Sequence, residues 1–319
     1  MTGIVTANWW TSLIYRVFVR TACLRAGRGL LPNIWEWLWR LSCNIIEGPV
    51  DITIHNRPAI VNFGYTYPIY MRCYPELNAP LVELTYQCWR SRGTAICIVD
   101  VGAAVGDTML LLHSNLPEAV GSFVCIEGDQ EFYRYLQHNL GHMTEGRLIN
   151  VVVADQETEV SDLVRIHTGT ASAQGERTRG ASTLSAVVTE EIDLIKIDVD
   201  GFDGRVLLGA EDLLKRCRPL VIFEWHPSLC RQTGNNWTDH FDVLARCGYS
   251  RCLWFTKFGH FSHFSFGHCR EEIDTLAEYC MSDVVKDWHY DVIALHDDSD
   301  LSLLLLSQLG FAKARPSRY

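Results

Sequence analysis

Long apolar runs, closely spaced cysteines and an excess of positive charge are all missing from this sequence of 319 residues. No apolar run reaches the roughly 18–20 residues that a membrane-spanning helix requires. At the start of the chain the apolar residues precede the first arginines, which reverses the order found in a secretory signal peptide. The net charge of −10 makes nucleic acid and anionic membranes poor default partners for the chain as a whole. We therefore expect a globular protein that does not bind nucleic acid.

The twelve cysteines are scattered along the chain, and no two of them form a Cys-x-x-Cys pair. The shortest separation is the one between Cys247 and Cys252. A secreted disulfide scaffold would be shorter and denser in cysteine, and a zinc site would need paired short spacings. The sequence instead predicts reduced, mostly buried thiols in a cytoplasmic protein.

The N-terminal stretch over residues 9–46 is rich in tryptophan and arginine. Its tryptophans are not confined to one helical face, which favours a helical arm that packs on the domain or on a second subunit. An interfacial membrane helix is the alternative interpretation. Short strands follow over residues 50–70, with a turn at Asn56–Pro58. We therefore predict a helical arm with a short β segment over residues 1–92 and one α/β domain over residues 93–319.

From residue 94 onward, predicted strands and helices alternate, which is the pattern of a parallel sheet with crossover helices. The polar stretch Thr168–Ser182 interrupts this pattern and predicts a mobile loop of the kind that forms a lid. The leucine-rich tail over Leu301–Leu309 predicts a helix. The predicted strands are Ile96–Val101, Ser122–Ile126, Leu148–Val153, Ile192–Ile197, Leu220–Phe223, Tyr249–Phe255 and Tyr290–Leu295. Ligands of such sheets bind at the carboxyl ends of the strands, where five acids stand: Asp100, Glu127, Asp155, Asp198 and Glu224.

The first predicted strand runs into a turn of small residues, DVGAAVGD, which opens a helix. Such a turn brings backbone N–H groups and a helix N-terminus close to a ligand. A dinucleotide site would have a second glycine where Ala104 stands, and the carboxylate of Asp107 would repel a pyrophosphate. The turn therefore predicts a smaller and less anionic ligand, bound around Asp100, Gly102, Ala103, Gly106, Asp107 and Thr108.

Two further acids suit a nucleoside ligand. Glu127, followed by Gly128, ends the second strand, where a carboxylate can accept hydrogen bonds from ribose hydroxyls. Asp129 is the better N-cap for the next helix, which leaves Glu127 available to the ligand. Asp155 ends the third strand and could accept a hydrogen bond from an adenine amino group; an ordinary loop acid is the alternative.

Lys196 lies inside an otherwise apolar strand, where an unpaired ammonium group would be costly to bury. Asp198 shares its face of the strand, and Asp200 and Asp203 follow at the strand end. Such a cluster could hold a divalent cation or deprotonate a substrate hydroxyl. A purely structural ion pair is the alternative.

Glu224 and His226 end the next predicted strand, beside Lys196. Glu224 could pair with Lys196, join a metal site with Asp198 or bind substrate, and His226 could act as a general base. A stretch rich in histidine and phenylalanine follows the sixth strand. It is predicted to be an aromatic, substrate-facing loop rather than a metal site, and its histidines are His260, His263 and His268.

Four stretches together resemble the FkbM-type S-adenosylmethionine-dependent methyltransferases: DVGAAVGDT, CIEGDQEFYRYLQHNL, DLIKIDVDGFDGRVLLGAEDLL and PLVIFEWHP. The resemblance covers about Ile96–Pro227 and is most specific in the third stretch. It implies a Rossmann-like sheet of seven strands with the last strand antiparallel. It also implies S-adenosylmethionine as cofactor and O-methylation of a hydroxyl on a sugar, glycan or natural product.

The resemblance further implies roles for individual residues. Asp100, Gly102 and Gly106 would contact the methionine part of the cofactor, and Glu127 would contact its ribose. The acceptor would be bound by Lys196, Asp198, Glu224 and His226, with Asp198 close to the cofactor as well. A magnesium ion held by Asp198 and Glu224 is an open alternative.

Two other functions stay open at this point. One is a methyltransferase-like binding or scaffold protein without catalysis, suggested by the tryptophan-rich arm and by Asp200 and Asp203, where the family usually has glutamate. The other is a nicotinamide-dependent oxidoreductase, which the missing second glycine disfavours. The expected partners are a small-molecule or glycan acceptor and, as an open alternative, a second copy of the chain.

Overall fold

Buried apolar strands form the centre of the fold, as the alternating pattern of the sequence predicts. The computed structural model describes residues 6–26, 30–167, 170–266, 269–285 and 288–301. Two helices joined by a 3-10 turn come first, followed by a hairpin and two more helices. They are α1 (Trp9–Thr21), the turn Ala22–Ala26, α2 (Leu30–Ile45), β1 (Pro49–Ile54), β2 (Arg57–Asn62), α3 (Tyr67–Cys73) and α4 (Ala79–Arg92).

The middle of the chain alternates strands and helices. Its elements are β3 (Ile96–Val101), α5 (Asp107–Asn115), β4 (Val120–Ile126), α6 (Gln130–Leu140), β5 (Gly146–Ile149), β6 (Val152–Val153), β7 (Thr158–His167), β8 (Thr170–Ser182) and α7 (Leu184–Val187). Helix α6 begins where Asp129 accepts hydrogen bonds from the backbone N–H groups of Glu131 and Phe132, both at 2.8 Å. This N-cap is the one expected from the sequence, and it leaves Glu127 for another role.

The last part of the chain completes the sheet and covers one of its faces. Its elements are β9 (Leu194–Ile197), α8 (Asp203–Leu208), α9 (Glu211–Cys217), β10 (Leu220–Trp225), α10 (Pro227–Thr233), α11 (Asp239–Arg246), β11 (Tyr249–Thr256), β12 (Phe261–Phe266), α12 (Arg270–Cys280) and β13 (Tyr290–His296). No helix in the described ranges is long and apolar enough to cross a membrane. All twelve cysteines carry free thiols, and six of them are buried.

The central sheet has the strand order β12-β11-β13-β10-β9-β3-β4-β5. Strands β5, β4, β3, β9 and β10 run parallel to one another, whereas β13 is antiparallel to both β10 and β11. The Rossmann-like α/β class and the antiparallel last strand are therefore confirmed. The sheet has eight strands instead of the expected seven, because residues 261–266 add an edge strand against β11.

Three predictions of local structure were wrong. The predicted strand Leu148–Val153 is split, since β5 joins the central sheet while β6 pairs with β8. The predicted loop Thr168–Ser182 is mostly strand, because β7 and β8 form an antiparallel hairpin in which backbone hydrogen bonds replace apolar patterning. The predicted histidine loop forms β12 for the same reason. The predicted tail helix and His268 lie outside the described residues.

Apolar side chains pack on both faces of the sheet. On one face, Tyr15 of α1 and Trp39 of α2 join the same hydrophobic cluster as Ile98 of β3 and Leu194 of β9. On the other face, α8, α9, α11 and α12 bury their apolar residues around Trp225 and the remaining sheet positions. The N-terminal helices thus share one hydrophobic core with the sheet, α1 packs on β1, and the domain boundary at residue 93 stays a prediction.

Candidate active site

A cavity of about 1040 Å³ opens at the carboxyl ends of the parallel strands, where ligands of α/β sheets bind. Its volume suits a ligand of the size of a nucleoside cofactor together with a small acceptor. Residues from the N-terminal segment and from five strand ends line it. Those predicted from the sequence are Gly102, Asp107, Glu127, Gly128, Lys196, Asp198, Glu224 and His226.

The glycine turn joins the end of β3 to the start of α5 in a left-handed backbone conformation. The φ angles are +79° at Gly102, +44° at Ala104 and +90° at Gly106. A Cβ at Gly102 would overlap the carbonyl oxygen of Asp198, so only glycine fits between β3 and β9. The N–H groups of Gly102 and Ala103 donate to the carbonyl of Ile126 at 2.9 and 3.0 Å. The turn is thereby fixed to β4 before any ligand binds.

Glu127 holds this turn from the neighbouring strand. Its two carboxylate oxygens accept hydrogen bonds from the N–H groups of Ala104 and Asp129, each at 2.7 Å. Burial raises the pKa of Glu127 to about 7, although these two bonds oppose the rise. Because each oxygen keeps a further lone pair, the carboxylate can still accept bonds from ligand hydroxyls.

Lys196 lies between two carboxylates at the bottom of the cavity. Its Nζ is 3.3 Å from Asp100 Oδ1 and 3.4 Å from Asp198 Oδ2. Asp100 is fully buried and sits opposite Lys196 in the register of β3 and β9. Burial lowers the pKa of Lys196, but the facing carboxylates outweigh burial and keep the pKa above its ordinary value. The buried ammonium group is therefore charged and paired, as its position in an apolar strand predicts.

Asp107 is linked to the N-terminal segment by a chain of hydrogen bonds. The hydroxyl of Tyr65 donates to Asp107 Oδ1 at 2.9 Å, and the hydroxyl of Tyr15 donates to the carbonyl oxygen of Tyr65. Burial raises the pKa of Asp107 to about 6. Thr108, the next residue of the helix, is also buried, and its hydroxyl opposes the rise that burial causes in the pKa of Asp100.

Several more carboxylates surround Lys196 on the side of β9, β10 and β13. Glu224 and Asp291 are cross-strand neighbours on β10 and β13. Burial raises the pKa of Glu224 well above its ordinary range and raises that of Asp291 to about 8. Burial likewise raises the pKa of Asp203 to about 7, although its oxygens accept bonds from the N–H groups of Val199 and Gly201. We call this set of side chains the acidic wall; a positively charged ligand bound beside it would lower these pKa values and favour the ionised carboxylates.

Two histidines complete the wall. His226, the residue before α10, stacks on His289 with ring centroids 4.9 Å apart. His289 Nε2 lies 3.3 Å from Glu224 Oε1, and both histidines line the cavity. Sequence reasoning missed His289 and Asp291. The only sequence feature that points to them is their position at the start of the predicted last strand, which lies next to β10 in this topology.

Residues 100–251 match the family described as the Methyltransferase FkbM domain. This segment contains the glycine turn, Glu127, Lys196 and Glu224, which the fold brings together around one cavity. This segment of the chain is therefore similar to the FkbM-type methyltransferase domain. None of the curated proteins compared with the chain matches it significantly.

Solved methyltransferase structures are similar to this chain at low sequence identity. Methyltransferase FkbM from Methylobacillus flagellatus KT is 13% identical with a TM-score of 0.40, over 63% of this chain and 43% of that chain. N-methyltransferase NodS from Bradyrhizobium japonicum WM9 is 8% identical with a TM-score of 0.37, over 69% and 97%. Precorrin-6y C5,15-methyltransferase from Geobacter metallireducens GS-15 is 11% identical with a TM-score of 0.34, over 68% and 87%. The present chain thus spans less than half of the first of these proteins.

The FkbM family implies S-adenosylmethionine, and the cavity has features that fit this cofactor. A positively charged sulfonium suits the acidic wall, and the carboxylate of Glu127 suits ribose hydroxyls. The glycine turn leaves backbone free of side chains at Gly102 and beside Ala104, where a ligand can approach closely. Gly102, Ala104, Asp107, Glu127 and Gly128 would hold it.

Not every predicted site residue reaches the cavity. Asp155 accepts a hydrogen bond from Arg205 Nε at 2.7 Å and does not line the cavity, and its contact with adenine stays a prediction. His260 lies 3.3 Å from Glu76, and His263 stacks on Trp254. Neither histidine lines the cavity, and a contact of this stretch with substrate stays a prediction. Ala103 and Gly106 shape the turn from behind the cavity surface.

The predicted magnesium site is not formed by the described side chains. Asp198 is paired with Lys196, and Glu224 is paired with His289. Within the described ranges, no three His, Cys, Asp or Glu side chains converge in an arrangement that could hold a metal ion. No catalytic step is therefore assigned to a metal here.

Proposed function

We propose that the chain is an S-adenosylmethionine-dependent O-methyltransferase that acts on a hydroxyl of a sugar or another small hydroxylated acceptor. One observation carries the proposal. A single cavity brings a nucleoside-type edge, formed by the glycine turn and Glu127, together with a proton-accepting edge, formed by Asp198 and His226 beside the charged Lys196.

The nucleoside-type edge would bind the methyl donor, and the proton-accepting edge would activate the acceptor hydroxyl. When bound, S-adenosylmethionine supplies an electrophilic methyl group on a positively charged sulfur. The chain must then align the acceptor oxygen with that group and remove the hydroxyl proton. The glycine turn and Glu127 fix the position of the donor, and the acidic wall stabilises its positive charge in a partly desolvated site.

Asp198 is the residue best placed to take the proton. Its side chain is 49% exposed, in contrast to the fully buried Asp100 on the other side of Lys196. Lys196 orients the carboxylate of Asp198 without neutralising it by proton transfer, since Lys196 stays charged. His226, stacked on His289, is the alternative base on the same wall.

The direct experiment is a methyl-transfer screen with the full chain. Labelled S-adenosylmethionine is offered with a panel of sugars and hydroxylated small molecules, with and without EDTA. Transfer to a hydroxyl supports the proposal, and an equal rate in EDTA agrees with the absence of a metal-dependent step. Cofactor binding without transfer to any acceptor would favour a binding protein, and fluorescence of bound reduced nicotinamide would favour an oxidoreductase.

Asp198→Asn separates catalysis from cofactor binding. We expect turnover to fall by about a hundredfold or more, because the proton acceptor is lost, while calorimetric affinity for S-adenosylmethionine stays within about threefold. The matched control is Asp212→Asn on the exposed side of α9, which should leave both quantities unchanged. A large loss of cofactor affinity in Asp198→Asn would instead place Asp198 on the donor side. Full turnover in this variant would point to His226.

A further inference from the structure

The outward sides of α1 and α2 expose an unusual concentration of apolar residues. Of the eighteen exposed large apolar side chains in the described part of the chain, thirteen lie between Trp9 and Ile45. Trp10 is 65% exposed and Leu30 is 77% exposed. We call this surface the outer face, and its members are Trp9, Trp10, Leu13, Ile14, Val17, Leu24, Leu30, Leu31, Ile34, Trp37, Leu38, Leu41 and Ile45.

The spacing of these residues is helical. On α1 they recur from Trp9 to Val17 at steps of three to four residues, and on α2 they do so from Leu30 to Ile45. Each helix therefore carries a continuous apolar stripe on its exposed side. A stripe of this kind is expected where a helix meets an apolar surface, and its exposure means that none of the described residues covers it.

The exposure does not come from loose packing of the helices. Tyr15 and Trp39 are buried against the domain, and Phe18 packs edge-on against Trp39. Trp35 Nε1 donates to Thr21 Oγ1 at 3.0 Å, which ties α2 to the end of α1. Both helices thus have an inner apolar side that is buried and an outer apolar side that is exposed.

Charge is segregated onto the same segment. Residues 1–46 contain five arginines and one glutamate, so they carry +4, whereas the whole chain carries −10. Arg20 is exposed at the end of α1, and the side chain of Arg40 on α2 is 76% exposed. The overall acidity that disfavours an anionic membrane for the whole chain therefore does not apply to this segment.

We infer that the outer face docks on an anionic lipid bilayer, with α1 and α2 lying in the plane of the membrane surface. Exposed tryptophans and leucines next to arginines are the combination that binds the interface between lipid headgroups and acyl chains. A two-fold pairing of the outer face with a second copy would set two segments of +4 against each other. The charge distribution thus favours lipid over a second copy of the chain.

Flotation of the full chain with phosphatidylcholine vesicles, with or without phosphatidylserine, tests this inference. We expect the protein to float with the phosphatidylserine vesicles and to be released by high salt. The double variant Trp10→Ser/Trp37→Ser should lower the bound fraction by roughly tenfold or more, since two interfacial anchors are lost. Arg20→Glu should weaken binding only to the vesicles that contain phosphatidylserine.

The matched control is Phe264→Ser/Phe266→Ser, which removes two exposed aromatics from β12, away from the outer face. This control should float as the unaltered chain does. Failure of the unaltered chain to float, or equal flotation of the tryptophan variant, would contradict the inference. A dimer in light scattering that the tryptophan variant abolishes, without flotation, would assign the outer face to a second copy instead.

Discussion

The two sides of the cavity are held by different forces. On the glycine-turn side, formed by β3 and β4, Glu127 and the turn are fixed by backbone hydrogen bonds. On the lysine side, formed by β9, β10 and β13, one ammonium group faces several buried carboxylates. The first side resists change through covalent geometry and hydrogen bonds, whereas the second depends on a balance of charge. Substitutions on the lysine side should therefore act through uncompensated charge, and those on the glycine-turn side through sterics and lost hydrogen bonds.

Lys196→Met should produce the largest effect, because it removes the charge that compensates the fully buried carboxylate of Asp100. We expect the free energy of unfolding to fall by about 3–5 kcal/mol, measured by urea denaturation. Lys215→Met, which loses only an exposed pair with Glu211, should cost at most about 0.5 kcal/mol. Adding Asp100→Asn to Lys196→Met should recover part of the loss. An unchanged stability in Lys196→Met would mean that the buried charge is not compensated in this way.

Gly102→Ala should come next and should act through sterics rather than charge. The new Cβ meets the carbonyl of Asp198 in a left-handed backbone, so we expect a loss of about 2–4 kcal/mol and of cofactor binding. Gly93→Ala is a matched control, since Gly93 has a φ of +70° but open space around its Cβ position. Its cost should be limited to about 1 kcal/mol. Equal losses in the two variants would show that backbone conformation, not crowding by β9, makes glycine necessary at position 102.

Glu127→Gln should have a smaller effect, seen in ligand affinity more than in folding. In the native chain, the N–H groups of Ala104 and Asp129 each donate to one oxygen of Glu127. In the variant, the amide NH2 group faces one of these N–H groups, so that hydrogen bond is lost. We expect affinity for S-adenosylmethionine to fall about tenfold in calorimetry. Glu118→Gln, an exposed change before β4, should leave the affinity unaltered. An unaltered affinity in Glu127→Gln would remove Glu127 from the ribose site.

The pH dependence of stability should be the mildest difference between the two sides. The pKa of Glu127 is raised to about 7 and that of Asp291 to about 8, both by burial. Because the native state binds more protons than the unfolded state, protonation of these carboxyl groups stabilises the protein at low pH. This contribution to the free energy of unfolding is lost as pH rises through these values. The thermal midpoint without ligand should fall by several degrees between pH 6.5 and 8.5. Asp291→Asn should flatten the upper half of that decline, whereas an equally steep decline would exclude Asp291 as its source.

The pH comparison starts at 6.5 because the two buried histidines, His240 and His55, affect stability mainly below that pH. Burial lowers the pKa of His240 to about 3 and that of His55 to about 4. Their contribution has the opposite sign and rises with pH up to about the ordinary histidine value. Above that value the contribution of His240 and His55 no longer changes, whereas that of Glu127 and Asp291 still does.

The glycine-turn side could be predicted from sequence in detail because its determinants are local. The turn follows β3 directly, Glu127 ends the next strand, and Asp129 takes the N-cap role that would otherwise compete for Glu127. The pairing of Lys196 was also predictable, since a buried ammonium group requires a partner. Its main partner, Asp100, followed only from the register of β3 with β9.

Other parts depended on contacts that no local pattern encodes. Asp291 and His289 reach the lysine side because the last strand inserts next to β10. The ion pair of Asp155 with Arg205, fifty residues later, could not be foreseen from the sequence. The stretch Thr170–Ser182 has the composition of a loop, and only its antiparallel neighbour Thr158–His167 makes it a strand. Long-range pairing, rather than composition, decided each of these cases.

The hydrogen bonds from Tyr15 to Tyr65 and from Tyr65 to Asp107 connect the outermost helix to the first turn of α5. The cavity also takes part of its wall from Trp39 and Arg40 on α2. A polypeptide cut to the segment that matches the FkbM family, residues 100–251, would lose this wall and leave the buried carboxylate of Asp107 without its donor. For recombinant work, the functional unit therefore begins at the first helix, well before the first residue of the family match.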